Sequence, residues 1–200
     1  MLLTTGQAAQ ELGCAVTTFR RLVRAGLLRG LSQRGVRVMV PLEAVQALRD
    51  RDPAPVERLP VREIAVLRAD VAKRGTSADG EGLTGFSAEL PPELLVKTLC
   101  GWWRCDAASV AAGGVLPVTV SGYVVAVLTG LDRWEKDSRG RHGFPDAVLA
   151  GHVTDLTEPV KHLTAPRAAD RKLADLLLGA RLPSHSGGTI AYVTTHTTVS

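Results

Sequence analysis

Within its first fifty residues the chain switches from one helical stripe to another, then to an alternating strand pattern and back to a helix, and a glycine or proline marks each switch. Thr4 to Gly13 begins with a threonine cap, carries Ala8, Ala9 and Leu12 at helical spacing and stops at glycine, which predicts one short helix. Beyond the turn Gly13-Cys14-Ala15, Val16, Phe19, Leu22 and Val23 form an apolar stripe on a second helix, with Thr17, Thr18, Arg20, Arg21 and Arg24 on its other side. Two short helices across a glycine-containing turn are the helix-turn-helix arrangement. Val36, Val38 and Val40 then alternate with Arg37 and Met39, predicting a hairpin with a Ser32-Gln33-Arg34-Gly35 tip. Pro41 closes that strand and starts a helix with Leu42, Val45 and Leu48 inward.

This order of parts, with its Ala9-x-x-Leu12-Gly13 turn, its threonine- and arginine-bearing second helix, Gly26-Leu27-Leu28 and a basic hairpin, resembles the winged helix-turn-helix of MerR-type regulators and phage excisionases. The resemblance covers residues 1–51. It implies that the second helix enters the major groove of double-stranded DNA, with Thr17, Thr18, Arg20 and Arg21 in the groove and Arg24 on the same face. Arg34 and Arg37 would lie on the wing, against the neighbouring backbone or minor groove. Arginine forks suit guanine edges, and threonines and wing arginines suit phosphate oxygens. Cys14 at the turn departs from the family pattern and is expected to pack as a small apolar residue.

Charge is distributed in keeping with that reading. Eight arginines stand against Glu11, Glu43 and Asp50 in residues 1–51, whereas the rest of a chain of net charge +4 is close to neutral. An excess of positive charge confined to one end is the footprint of a nucleic-acid-binding module joined to a neutral one. No apolar run is long enough for a membrane span and the start lacks the pattern of a secretory signal, so a cytoplasmic protein is expected, with Cys14, Cys100 and Cys105 as reduced thiols.

The prolines at Pro53, Pro55 and Pro60 predict a semi-rigid linker, and Val61–Arg74 reads as a helix suited to packing on the next domain or pairing with its copy. Residues 52–82 are therefore expected to be linker plus helix, ending in a flexible Gly75–Gly82 loop. Residues 83–200 read as a separate β-rich domain, making the whole chain α+β. Helices are expected over Pro91–Leu99, Asp106–Ala112 and Pro166–Leu178, and strands over Trp102–Cys105, Leu116–Ser121, Tyr123–Thr129, Ala147–Thr154 and Thr189–Thr195. Valine-rich strands with frequent glycine suggest a small barrel or a strongly curved sheet.

That second domain offers little obvious chemistry. His142, His152, His162, His185 and His196 are scattered, Cys100 and Cys105 lack partners, and neither a metal site, a cofactor nor a catalytic residue is expected. Trp102, Trp103, Arg104 and Trp134 concentrate the tryptophans of an aromatic-poor chain and offer a candidate surface for a small molecule or protein partner, with core or sheet-covering packing the favoured reading. Ser184-His185-Ser186-Gly187-Gly188 reads as a turn with hydroxyls and amides suited to an anion. The function expected is a sequence-specific DNA-binding regulator, dimeric, with a second domain for dimerisation, sensing or partner binding. The alternatives are an excisionase-like or plasmid-maintenance architectural factor and a nucleic-acid enzyme targeted by its N-terminal module.

Overall fold

The computed structural model describes residues 1–77, 80–185 and 188–195. Strand β1 (Leu2–Thr4) runs into α1 (Thr5–Leu12), followed by α2 (Val16–Arg24), the hairpin β2 (Ser32–Arg34) and β3 (Arg37–Pro41), and α3 (Leu42–Arg49). Local chemistry accounts for these boundaries. Thr4 and Gln7 form a reciprocal capping box at the start of α1, and Gly13 ends it in the left-handed conformation. Strand β3 is central in a three-stranded sheet, flanked by β1 and β2. Phe19, Leu22, Leu27, Val45 and Leu48 are fully buried between the helices.

A β-rich region follows. It holds β4 (Glu63–Arg68), β5 (Lys73–Ser77), β6 (Gly80–Thr84), α4 (Pro92–Leu99), α5 (Ala107–Gly113), β7 (Leu116–Val120), β8 (Tyr123–Thr129) and the short pair β9 (Glu135–Lys136) and β10 (His142–Gly143). Strand β11 (Val148–Asp155), β12 (Val160–Leu163), α6 (Ala168–Leu177) and β13 (Ile190–Thr194) complete it. Six strands form one sheet in the order β12-β11-β8-β7-β4-β13, antiparallel except where β4 lies parallel to β7. Its ends are not joined, so it is an open mixed sheet and not a barrel. Every residue of β7 and β8 is buried, the signature of central strands covered on both faces. Ser121 and Gly122 join them with positive φ at both positions, the requirement of a tight two-residue hairpin turn.

Val61–Arg74, expected as a helix, instead supplies β4 and the start of β5. Ile64, Ala65, Val66 and Leu67 are four consecutive buried residues, a pattern that covers both faces of a strand and cannot form a one-sided helical stripe. The flexible loop expected over Gly75–Gly82 is mostly the β5–β6 hairpin, with Ala78 and Asp79 outside the described residues. Trp102–Cys105, expected as a strand, contributes only a bridge between Trp103 and His142. The strand and helix positions expected after residue 105 agree with the observed elements to within a few residues, and β9, β10 and β12 are additions to them.

The two regions share one continuous hydrophobic core. The N-terminal helices are fastened to the second region by the Leu156 amide to the Leu27 carbonyl (2.9 Å) and the Ala88 amide to the Ala25 carbonyl (2.8 Å). Side chains add to this. The Tyr123 hydroxyl donates to the Leu48 carbonyl (3.0 Å), the Ser121 hydroxyl to the Thr18 carbonyl (2.9 Å) and Arg51 to the Thr157 carbonyl (2.7 Å). Arg29 pairs at 3.1 Å with the buried carboxylate of Asp155. No helix among the described residues is long and apolar enough to cross a membrane.

Candidate nucleic-acid interface

One residue advances about 100° around a helix, so on α2 Thr17 and Arg24 lie at the centre of the face opposite the buried Phe19 and Leu22. Arg20 flanks that centre on one side and Arg21 on the other. The structure uses the two sides differently. Arg20 and Arg24, with Arg37 of β3, line a groove of about 490 Å³ between α2, the Thr4-Thr5 start of α1 and the hairpin residues Val36 and Val38. Arg34 stands across the hairpin ladder from Arg37. Val36, at the hairpin tip, is fully exposed.

Thr18 and Arg21 face the opposite way, into a cleft between α2 and the second region. Arg21 pairs with Asp70 at 3.4 Å, and Lys73 reaches the other oxygen of the same carboxylate at 3.4 Å. Partial burial works against the charge on Asp70. The Val71 amide, Lys73 and Arg21 outweigh it and hold the carboxyl below its usual range. Sequence reasoning placed Thr18 and Arg21 beside Thr17 and Arg20 because a helical wheel shows only which side chains are polar, not which of them a distant segment will cover.

The remaining arginines of residues 1–51 divide the same way. Arg21, Arg29, Arg49 and Arg51 all have partners within the fold, Arg49 bonding Glu11 at 2.8 Å and Asp50 at 3.2 Å. Among the described residues Arg20, Arg24, Arg34 and Arg37 have neither an ion pair nor a hydrogen bond, and all four are exposed. Three of them, Arg20, Arg24 and Arg37, line the groove between α2 and the hairpin, and Arg34 stands across the hairpin from Arg37.

Trp102 and Trp103 of the second region are packed, whereas Arg104 and Trp134 are not. Trp103 is buried with its ring 5.8 Å from Phe144, and Trp102 lies over Gly143, where a Cβ would meet its ring at 3.2 Å. Arg104 is exposed, and Trp134 is 41% exposed just before β9, whose partner β10 touches Trp103. Burial raises the thiol pKa values of Cys14, Cys100 and Cys105, that of Cys100 to about 11, so these free thiols are poor nucleophiles. Among the described residues no three histidines, cysteines or carboxylates come together in a metal-binding group. Ser184 and His185 border the inter-region cleft, whereas Ser186, Gly187 and His196 lie outside the described residues.

Comparison with known families matches residues 2–52 to the helix-turn-helix domain. No curated protein and no solved structure matches the chain. The N-terminal unit is thus a helix-turn-helix domain, a DNA-binding module, followed by a β-rich region.

Proposed function

We propose that this protein is a sequence-specific double-stranded DNA-binding regulator of winged, MerR-like type, in which α2 enters the major groove and the β2–β3 hairpin acts as the wing. The observation that carries the reading is the partition of the arginines. Half of those in residues 1–51 are used up by the fold, and of the four without a partner among the described residues Arg20, Arg24 and Arg37 line one groove, with Arg34 across the hairpin from Arg37. Unneutralised guanidinium groups gathered about one groove suit a polyanion, and forks on a helix suit guanine edges. In this reading Thr17, Arg20 and Arg24 face the bases, and Arg34 and Arg37 grip backbone beside them.

The same reading makes the protein a binder and not an enzyme, and a homodimer on a two-fold site, since one short helix with a wing offers little contact area for tight specific binding. Selection of bound fragments from random duplex DNA tests it. One short palindrome is the expected outcome, and sedimentation of the complex should give two chains per site. Failure to enrich any sequence would refute the regulator reading, and clustered direct repeats would replace it with an architectural role.

A further inference from the structure

The side of α2 away from the hairpin opens on the cleft between the two regions, about 770 Å³ in volume and bordered by Thr18, Arg21, Arg68, Ser121, Ser184 and His185. Arg68, Ala69, Asp70 and Thr189 also border an adjoining hollow of about 600 Å³, which adds Lys73, Lys97 and Arg141. Together they make one open trough running from the recognition helix onto the second region. Among the described residues five cationic side chains line it against the carboxylate of Asp70, which Arg21 and Lys73 already hold. Of the five, Arg141 is neutralised by Asp137 at 2.7 Å, and Arg68 already donates to the Gly188 carbonyl at 3.4 Å. Two cations on the one Asp70 carboxylate, together with Lys97, keep the balance among the described residues positive, and Thr119, Ser184 and Thr189 bring hydroxyls to the wall.

Geometry decides what such a trough would meet. The major groove of B-DNA, about 12 Å wide, admits one helix and is bounded by two phosphate strands. With the hairpin against one strand, the other must pass on the Arg21 side of α2, where the Ser121-Gly122 turn and the Ser184-His185 segment stand. The hydrogen bond from Ser121 to the Thr18 carbonyl and the Arg21–Asp70 pair hold the two regions in this arrangement before any DNA arrives. We propose that the trough between α2 and the second region receives the phosphate backbone of the strand lying across the major groove from the hairpin. The second region is then part of the DNA-binding surface. This rests on α2 being the groove-entering helix, and it assigns the second region a binding role that the helix-turn-helix alone does not require.

Phosphate chemistry has a second source, a free phosphate-bearing small molecule, and the experiment separates the two. The full chain is titrated by fluorescence anisotropy against a labelled mixed-sequence duplex at several salt concentrations, comparing the wild type with Arg68→Gln, Ser184→Asp, Arg37→Gln and the double variant Arg68→Gln/Arg37→Gln. Each lost phosphate contact should flatten the slope of log affinity against log salt by about 0.9, and the Arg68 and Arg37 losses should add because they lie on different strands. Ser184→Asp, which places a carboxylate in a loop without removing a contact of the sheet, should weaken binding severalfold for every duplex. It keeps the test valid if Arg68→Gln lowers the unfolding midpoint.

Wild-type affinity and slope in both Arg68→Gln and Ser184→Asp, with Arg37→Gln impaired, would overturn the trough while leaving the helix-turn-helix reading intact. No duplex binding by the wild type would remove both. Calorimetry with inorganic phosphate supplies the remaining arm. Phosphate binding abolished by Arg68→Gln, with duplex binding unchanged, would assign the cleft to a free anion and overturn the proposal.

Discussion

Replacing His152 with leucine should abolish most of the acid sensitivity of this fold above about pH 4. His152 lies on β11 opposite His162 of β12, and their rings stack with centroids 4.9 Å apart. It is 4% exposed and its Nδ1 has no hydrogen-bond partner. Burial, and secondarily the neighbouring His162, push its pKa from 6.5 down to about 4. In the unfolded chain the ring protonates near 6.5, so between 6.5 and 4 the unfolded state binds the extra proton and the native state loses stability as pH falls. With these two pKa values the loss between about pH 7.5 and about pH 4.5 is about 2.5 kcal/mol, a large part of a typical domain's stability. Asp70, Asp106 and Asp137 have lowered pKa values, so their stabilisation is lost mainly as pH falls through and below 3.8, with only its onset inside this window. Urea unfolding of wild type and His152→Leu at the two pH values measures the difference. His162→Gln, which removes the smaller cause, should keep most of the wild-type slope. If His152→Leu loses as much stability on acidification as the wild type, within about 0.5 kcal/mol, the assignment of a buried neutral histidine is wrong.

Other perturbations separate the groove from the scaffold. Arg20→Ala should weaken binding to the selected site by roughly 1–3 kcal/mol and relax preference at one base pair, whereas Arg49→Ala, already bonded to Glu11 and Asp50, should leave DNA affinity nearly unchanged in the same titration. Tyr123→Phe removes the hydroxyl donor from the buried Leu48 carbonyl, which keeps the longer bond from the Arg51 amide at 3.4 Å, and should lower stability by about 0.5–1.5 kcal/mol in urea unfolding. Leu27→Ala, in the fully buried seam between the two regions, should cost about 2–5 kcal/mol by the same measurement. Gly130 has φ +71° and a Cβ there would stand 2.5 Å from the Asp146 carbonyl oxygen, so Gly130→Ala should lower the melting temperature through strain of at least about 1–2 kcal/mol.

The sequence by itself determined what depends on neighbours along the chain. The Thr4 cap and Gly13 stop of α1, the apolar stripe of α2, the Ser121-Gly122 turn and the Asp106 cap of α5 follow from hydrogen bonds and backbone angles a few residues apart, and all could be read directly. Tertiary structure decided whatever depends on which surface meets which. Val61–Arg74 mixes apolar and charged residues in a way that suits a helix locally, yet Ile64 to Leu67 lie in a sheet between β7 and β13, where burial on both faces outweighs local propensity. His152 and His162, ten residues apart and unpaired by any motif, meet through a strand register. The same holds for the arginines of residues 1–51. Their number marks a DNA-binding end, but docking of the second region, through Asp70 and Asp155, commits Arg21 and Arg29 to the fold, whereas Arg20, Arg24, Arg34 and Arg37 keep no ion-pair partner among the described residues. A charge takes its role from the partners within a few ångströms, and those partners are set by folding.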